Sequence, residues 1–232
     1  MDDDNKVVRF KITVIGESGV GKTSMVSRFI NNEFDSTILS SNGQSYGSKE
    51  LKFEDINNTY ITLDIWDTAG QEKYRSLVKS FYKDADAAIL VYDTTVTKSF
   101  EEMKKYWYEQ IKEHSKKNIV IAIAGNKCDL VDDEQVKEED AREFAKDIGA
   151  IFKLTSAITS VGIYELFKKI GYKLLIPNYD IEKLNNEDIK IPDEYKEIVK
   201  QTITTHNSNI ELRKSQQLKK KEHKKISKRT CC

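Results

Sequence analysis

Residues 16–23 read Gly-Glu-Ser-Gly-Val-Gly-Lys-Thr, the pattern G-x-x-x-x-G-K-[ST] of a loop that can wrap a phosphate chain. Gly16, Gly19 and Gly21 leave room for successive backbone N–H groups to point inward, so Ser18, Gly19, Val20, Gly21, Lys22, Thr23 and Ser24 form a candidate anion cradle. Lys22 would reach the outer phosphates as a point charge, and the Thr23 hydroxyl is placed to ligate Mg²⁺. The run before it, 7–15, alternates and then turns continuously apolar, as a strand does. The run after it places Met25, Arg28 and Phe29 at helical spacing, so the loop opens a helix whose N-terminal partial charge adds to the cradle.

Two further runs carry compatible chemistry. Leu63 to Glu72 contains Asp67-Thr68-Ala69-Gly70-Gln71. Asp67 ends an apolar stretch and can hold Mg²⁺ through a water, Gly70 lets its N–H approach a terminal phosphate, and Gln71 can orient a water for in-line attack. Asn126-Lys127-Cys128-Asp129 follows the apolar segment 119–124, which reads as a buried parallel strand. Ligands of open α/β sheets lie beyond the carboxyl ends of the strands, so this run and the glycine loop share an edge. Asp129 can accept from the ring N–H and exocyclic NH₂ of guanine; adenine offers neither in that pattern and would leave a carboxylate unpaired.

With these runs in hand, the chain resembles a Ras-superfamily small GTPase, and within that superfamily a Rab. The resemblance covers 7 to about 176 and rests on Gly16–Thr23, Trp66–Glu72, Tyr74-Arg75-Ser76-Leu77, Phe81-Tyr82-Lys83, Asn126–Leu130, Thr155-Ser156-Ala157 and the terminal Cys231-Cys232. Asn118 to Ala122 is similar to endocytic Rabs. The resemblance implies GTP and GDP with Mg²⁺ as cofactors, slow GTP hydrolysis, and a switch in vesicle trafficking. Lys22 and Gln71 would be catalytic, and Thr23, Ser41 and Asp67 would hold the metal. Phe34 would flank the base, and Ser156 and Ala157 would offer backbone N–H groups to it. Ser18 would stand nearest the γ-phosphate, where a bulky side chain would block Gln71 and an activator.

Two departures stand out. At the first-switch threonine the matching position is Ser41, which keeps the hydroxyl but loses the methyl group that stiffens χ1. Thr37 comes too soon after Phe34 to match. The family's Ser-Ala-Lys base loop reads Ser156-Ala157-Ile158. They motivate an alternative: a guanine-nucleotide-binding scaffold or adaptor with negligible turnover. Tyr46, Trp66 and Phe81 match the apolar positions that Rabs show to effectors across the switches, although their spacing fits core positions equally well.

The elements that must position these residues form an α/β fold, the P-loop NTPase G domain: a six-stranded, mostly parallel sheet with one antiparallel edge strand and about five helices. Strands are expected near 7–15, 46–55, 60–66, 87–92, 119–124 and 151–154, with helices near 21–32, 72–82, 98–114, 138–147 and 162–176. The link 55–59 is too short for a crossover and makes a hairpin. Residues 1–176 are expected as the catalytic domain and 177–232 as a tail, polar at first, with a short helix possible at 194–202.

Lys and Arg total 38 against 38 Asp and Glu, so a net charge of zero conceals a basic end. From Glu211 on, Lys or Arg occupies 213, 214, 219, 220, 221, 224, 225, 228 and 229, and such a segment is expected to be disordered in solution. Cys231 and Cys232 suit dual prenylation, where two lipid chains anchor stably and basic neighbours add attraction to an anionic leaflet. The N-terminus lacks a signal-peptide core, and no run is long and apolar enough to span a bilayer. The expectation is a monomer on the cytoplasmic face of a vesicle or organelle, with a cytosolic chaperone-bound pool. Its partners would be effectors, an exchange factor, a GTPase-activating protein, and prenylation and membrane-extraction chaperones. Nucleic acid is not expected, and the histidines show no zinc-ligand spacing.

Overall fold

The computed structural model describes residues 8–34, 45–67, 82, 84–185, 192 and 195–229, with side chains described to 212 and at 215. The strands are β1 (Val8–Ile15), β2 (Ser45–Phe53), β3 (Thr59–Asp67), β4 (Ala87–Asp93), β5 (Val120–Asn126) and β6 (Ile151–Thr155), in the order β2-β3-β1-β4-β5-β6. Only the β2–β3 pair is antiparallel, with Ser45 opposite Asp67, so the hairpin and mixed sheet expected from the sequence are present. The expected helix at 72–82, Tyr82 excepted, lies outside the described residues, as do Gly70, Gln71, Phe81, Ser41 and the terminal Cys231 and Cys232.

Both faces of the sheet are covered, which explains its near-continuous apolar strands. Along β4, Ala87, Ile89 and Val91 enter one core while Ala88, Leu90 and Tyr92 enter the other. The first core is closed by α1 (Lys22–Asn31) through Met25, Val26 and Phe29, and by α4 (Ile163–Leu175) through Leu166, Phe167 and Ile170. The second is closed by α2 (97–114) and by α3 (Glu138–Asp147), through Phe100, Met103, Trp107, Ile111, Ala141 and Ala145. Helix α2 occupies the stretch expected at 98–114, but in three contiguous pieces: Thr97–Glu102, a π-helical Met103–Tyr108, and Glu109–His114.

Beyond Pro177 the chain departs from the polar tail expected of it. A short helix, α5 (Ile181–Asn185), buries Leu184. A long one, α6 (Tyr195–Arg229), begins where a short helix was expected and continues through the basic residues expected to be disordered. Val199 of α6 is buried in the first core, with Tyr195 and Ile203 packed beside it. The sparse apolar positions are thus enough to seat the first turns. The rest is composed largely of Lys, Glu, Gln and Arg, which propagate a helix readily once it is started.

Candidate functional site: a nucleotide cleft at one sheet edge

Five strands run the same way, so their carboxyl ends share an edge, and the candidate residues follow directly from those ends. Gly16–Gly21 leaves β1, Asp67 ends β3, Asp93 ends β4, Asn126 ends β5, and Ser156 and Ala157 follow β6. The strand order puts the glycine loop between Asp67 on one side and the Asn126–Asp129 and Ser156–Ala157 turns on the other.

At the phosphate end, Lys22 is buried, and its Nζ donates to the Gly16 carbonyl at 3.0 Å and the Glu17 carbonyl at 2.7 Å. Burial pulls its pKa down to about 8, against the opposing pull of Asp67 and Glu17. Ser18 and Gly19 are exposed, whereas Val20 anchors the loop in the first core. Gly21 sits at φ 90°, where a Cβ would meet Asn126 Nδ2 at 2.3 Å; the loop can turn into α1 only without a side chain there. Asp67 is fully buried. Its Oδ2 accepts from Thr23 Oγ1 at 2.5 Å and Ser45 Oγ at 3.4 Å, while its Oδ1 has no hydrogen-bond partner among the described residues. Burial raises its pKa, held back by the Thr23 bond and by Lys22.

The turn after β5 braces the glycine loop. Asn126 Nδ2 donates to the Val20 carbonyl at 2.8 Å and Thr155 Oγ1 donates to Asn126 Oδ1 at 3.3 Å, tying both turns to the glycine loop. Lys127, at φ 67°, sets its ammonium 2.5 Å from Asp93 Oδ2. Asp129 is half-buried and makes no hydrogen bond or ion pair among the described residues, so both of its oxygens can accept from a base. Of the two candidate base-loop donors, the Ser156 N–H is engaged by the Val161 carbonyl at 3.0 Å, which leaves the Ala157 N–H as the open one. Phe34 is half-buried at the rim of the first core. Ser24 lies half-buried in the first turn of α1.

Sequence reasoning missed two side chains that shape the cleft. Arg28 of α1 donates to the Ala157, Ile158 and Asn32 carbonyls at 2.9, 3.2 and 2.8 Å, so the phosphate-side helix holds the base loop. Trp107 of α2 donates from Nε1 to Glu17 Oε1 at 2.9 Å. In the sequence Arg28 is only a member of the helical pattern with Met25 and Phe29, and Trp107 only an aromatic within the helix expected at 98–114; no local spacing signals either contact. At the sheet's β2–β3 end, Tyr46 and Trp66 face each other in register with rings 5.1 Å apart, Tyr46 56% exposed and Trp66 half-buried, so the pair is not core.

A glycine loop between strand and helix, with an Asn-Lys-x-Asp turn at the same sheet edge, defines a class: guanine-nucleotide-binding P-loop proteins. Residues 11–175 match the Ras family, whose members are GTP hydrolases. The Ras-related protein Rab-31 of Homo sapiens is 43% identical over 182 residues, covering 78% of this chain and 90% of that protein. Rab-22A of Homo sapiens is 42% identical over 170 residues (73% and 84%), and Rab-5A of Dictyostelium discoideum 40% over 174 residues (75% and 85%). The chain belongs to the Rab family of small GTPases.

Proposed function

We propose that this Rab-family GTPase is a membrane-anchored switch in vesicle traffic, of the endocytic kind, in which residues 1–176 bind and hydrolyse GTP and the rest carries the anchor. The supporting observation is the assembly at one sheet edge of Lys22, the Thr23–Asp67 pair and the open carboxylate of Asp129. Asp129 would select guanine by taking two N–H donors, with the Ala157 N–H left for the base carbonyl. Phe34 would cover the ring. Lys22 would exchange its carbonyl partners for phosphate oxygens and keep its charge where negative charge grows.

The residues fit a divalent cation. Among the described residues no trio of His, Cys, Asp or Glu forms a protein-only cage. Thr23 and Asp67 offer instead a hydroxyl and a carboxylate with an orphaned oxygen, the sparse set suited to Mg²⁺ sharing its shell with phosphates. Ser41 would add a third oxygen. When bound, the metal supplies charge neutralisation; Gln71 would orient the attacking water.

The loops around Ser41 and Gly70 would be ordered by the terminal phosphate and released on its loss, so that effectors meet Tyr46, Trp66 and Phe81 only in the triphosphate state. An exchange factor and an activating protein would set the two rates. Cys231 and Cys232, prenylated and escorted by chaperones, would hold the chain at a cytoplasmic membrane face; no described helix is long and apolar enough to cross one.

Single-turnover release of labelled phosphate from GTP-loaded protein, beside Gln71→Leu, tests the reading. Slow release that Gln71→Leu abolishes is expected. Tight GTP binding with no release above that variant overturns the switch and leaves the scaffold, for which Ser41 and Ile158, the latter 55% exposed, are the motive.

A further inference from the structure

The phosphate loop contains a feature that its anion-binding chemistry does not call for: Glu17, a carboxylate between Gly16 and Ser18. A negative charge beside a polyphosphate weakens binding unless it is held at a distance. Glu17 Oε1 accepts from Trp107 Nε1 at 2.9 Å. Trp107 is only 2% exposed and belongs to the second core, with Ile15, Leu90, Tyr92 and Met103. Helix α1, which the loop opens into, packs in the first core through Met25, Val26 and Phe29. The Glu17 side chain therefore reaches toward the sheet face opposite α1, while the Glu17 carbonyl accepts from Lys22.

Local geometry supports a specific device. Trp107 lies in the π-helical stretch Met103–Tyr108, a departure from α-helical geometry that recurs where a helix must aim a side chain. A buried indole N–H needs an acceptor, and a carboxylate is a strong one. Tyr106 packs edge-on to the Trp107 ring at 5.0 Å, so the indole is fixed from the side as well as from below.

We propose that Trp107 is a positioning residue for the phosphate loop: its indole N–H holds the Glu17 carboxylate on the α2 face, out of the polyphosphate cradle. Glu17 would then serve as a tether between α2 and the loop rather than as a repelling charge. This rests on the nucleotide-binding reading above and names what sets the loop's shape within it.

The test is a cycle of Trp107→Phe, Glu17→Gln and the double variant, read by release of a fluorescent GDP analogue at two salt concentrations. Trp107→Phe keeps an aromatic ring but removes the N–H and the pyrrole half of the indole; release is expected to quicken roughly tenfold at low salt, and less at high salt. Glu17→Gln alone should change release less than Trp107→Phe does, because the amide oxygen still accepts from the indole and the charge it removes is one already held out of the cradle. The double variant should return to within about twofold of wild type, a rescue that mere loss of packing at Trp107 would not produce. Wild-type release by Trp107→Phe, or no rescue by Glu17→Gln, overturns the proposal. A second readout needs no nucleotide: amide exchange at 16–21 in the free protein should rise in Trp107→Phe, and unchanged exchange would also overturn it. If wild-type protein fails to bind guanine nucleotide, the function reading falls and the exchange experiment alone decides the tether.

Discussion

Arg28 joins the two halves of the nucleotide cleft through a single side chain. Its guanidinium reaches two base-loop carbonyls and the C-cap carbonyl of α1 at once, a fork that a lysine cannot reproduce. Removing it leaves the turn at Ala157 and Ile158 braced by the Ser156–Val161 backbone hydrogen bond and by the Thr159 N–H donating to Ser156 Oγ. Arg28→Ala should therefore speed release of a fluorescent GDP analogue roughly five- to thirtyfold, and Arg28→Lys should recover little of the loss. Equal release rates for all three proteins would show that the turn after β6 keeps its shape unaided. Cys128, between Lys127 and Asp129, has a different vulnerability. Burial raises its thiol pKa, and the charge of Asp129 adds to the effect. At pH 8 it thus carries less thiolate than an ordinary cysteine, and its reactivity should still be climbing above pH 9. Peptide mass spectrometry after iodoacetamide treatment checks this; alkylation as fast as that of an unstructured thiol would mean that the turn opens.

Helix α4 shows how packing overrides propensity. Gly171 is a poor helix former, yet a Cβ there would meet Phe53 Cζ at 2.4 Å and Ile61 Cδ1 at 3.1 Å. Phe53 is fully buried and edge-on to Tyr172, whose hydroxyl donates to Asp55 at 2.8 Å, so neither ring has room to retreat. Gly171→Ala gains about 1 kcal/mol of helix propensity but overpacks the core at a cost of about 1–3 kcal/mol. A net loss of roughly 1 kcal/mol is expected in urea unfolding; a gain would show that Phe53 moves freely. Elements whose signal is local were legible in the sequence. The apolar runs of β4 and β5 name buried parallel strands, the short link at 55–59 names the hairpin, and the glycine loop names the start of α1. The π-helical stretch of α2 was not legible, because Met103 and Trp107 turn inward at a spacing that an α-helix also gives. Trp107 within it meets Glu17, ninety residues away in the chain. The cleft was legible where one residue type is required at one spacing, as at Lys22, Asp67 and Asp129. It was illegible where tertiary contact assigns the work, as at Arg28 and Trp107.

Across the whole molecule, the nucleotide edge and the C-terminal helix occupy opposite ends of β1. Helix α6 docks where the strand begins: His206 Nε2 lies 2.7 Å from the Arg9 carbonyl and must carry a proton to donate to it, and its ring is 4.3 Å from that of Phe10. Val199, 2% exposed, is the buried centre of this seat, and Tyr195 closes edge-on against Tyr179 at 5.3 Å. From there to the loop at Gly16 is the length of the strand, about 25 Å at the usual rise per residue. The basic stretch from 213 to 229 continues the same helix away from the seat. Docking therefore fixes the direction in which the C-terminal segment leaves the sheet without touching the nucleotide edge. Glutamate at 199 would have to be buried as a charge or expelled, and expulsion of the first turns of α6 is the cheaper course. Val199→Glu should lower stability by about 1–3 kcal/mol, and amides in 195–206 should lose their protection from hydrogen exchange. Nucleotide release should stay at the wild-type rate, since Lys22, Asn126 and Asp129 share no contact with the seat. A change in that rate would mean that α6 is coupled to the cleft through β1. The C-terminal helix would then be part of the proposed switch rather than a mount for the proposed anchor.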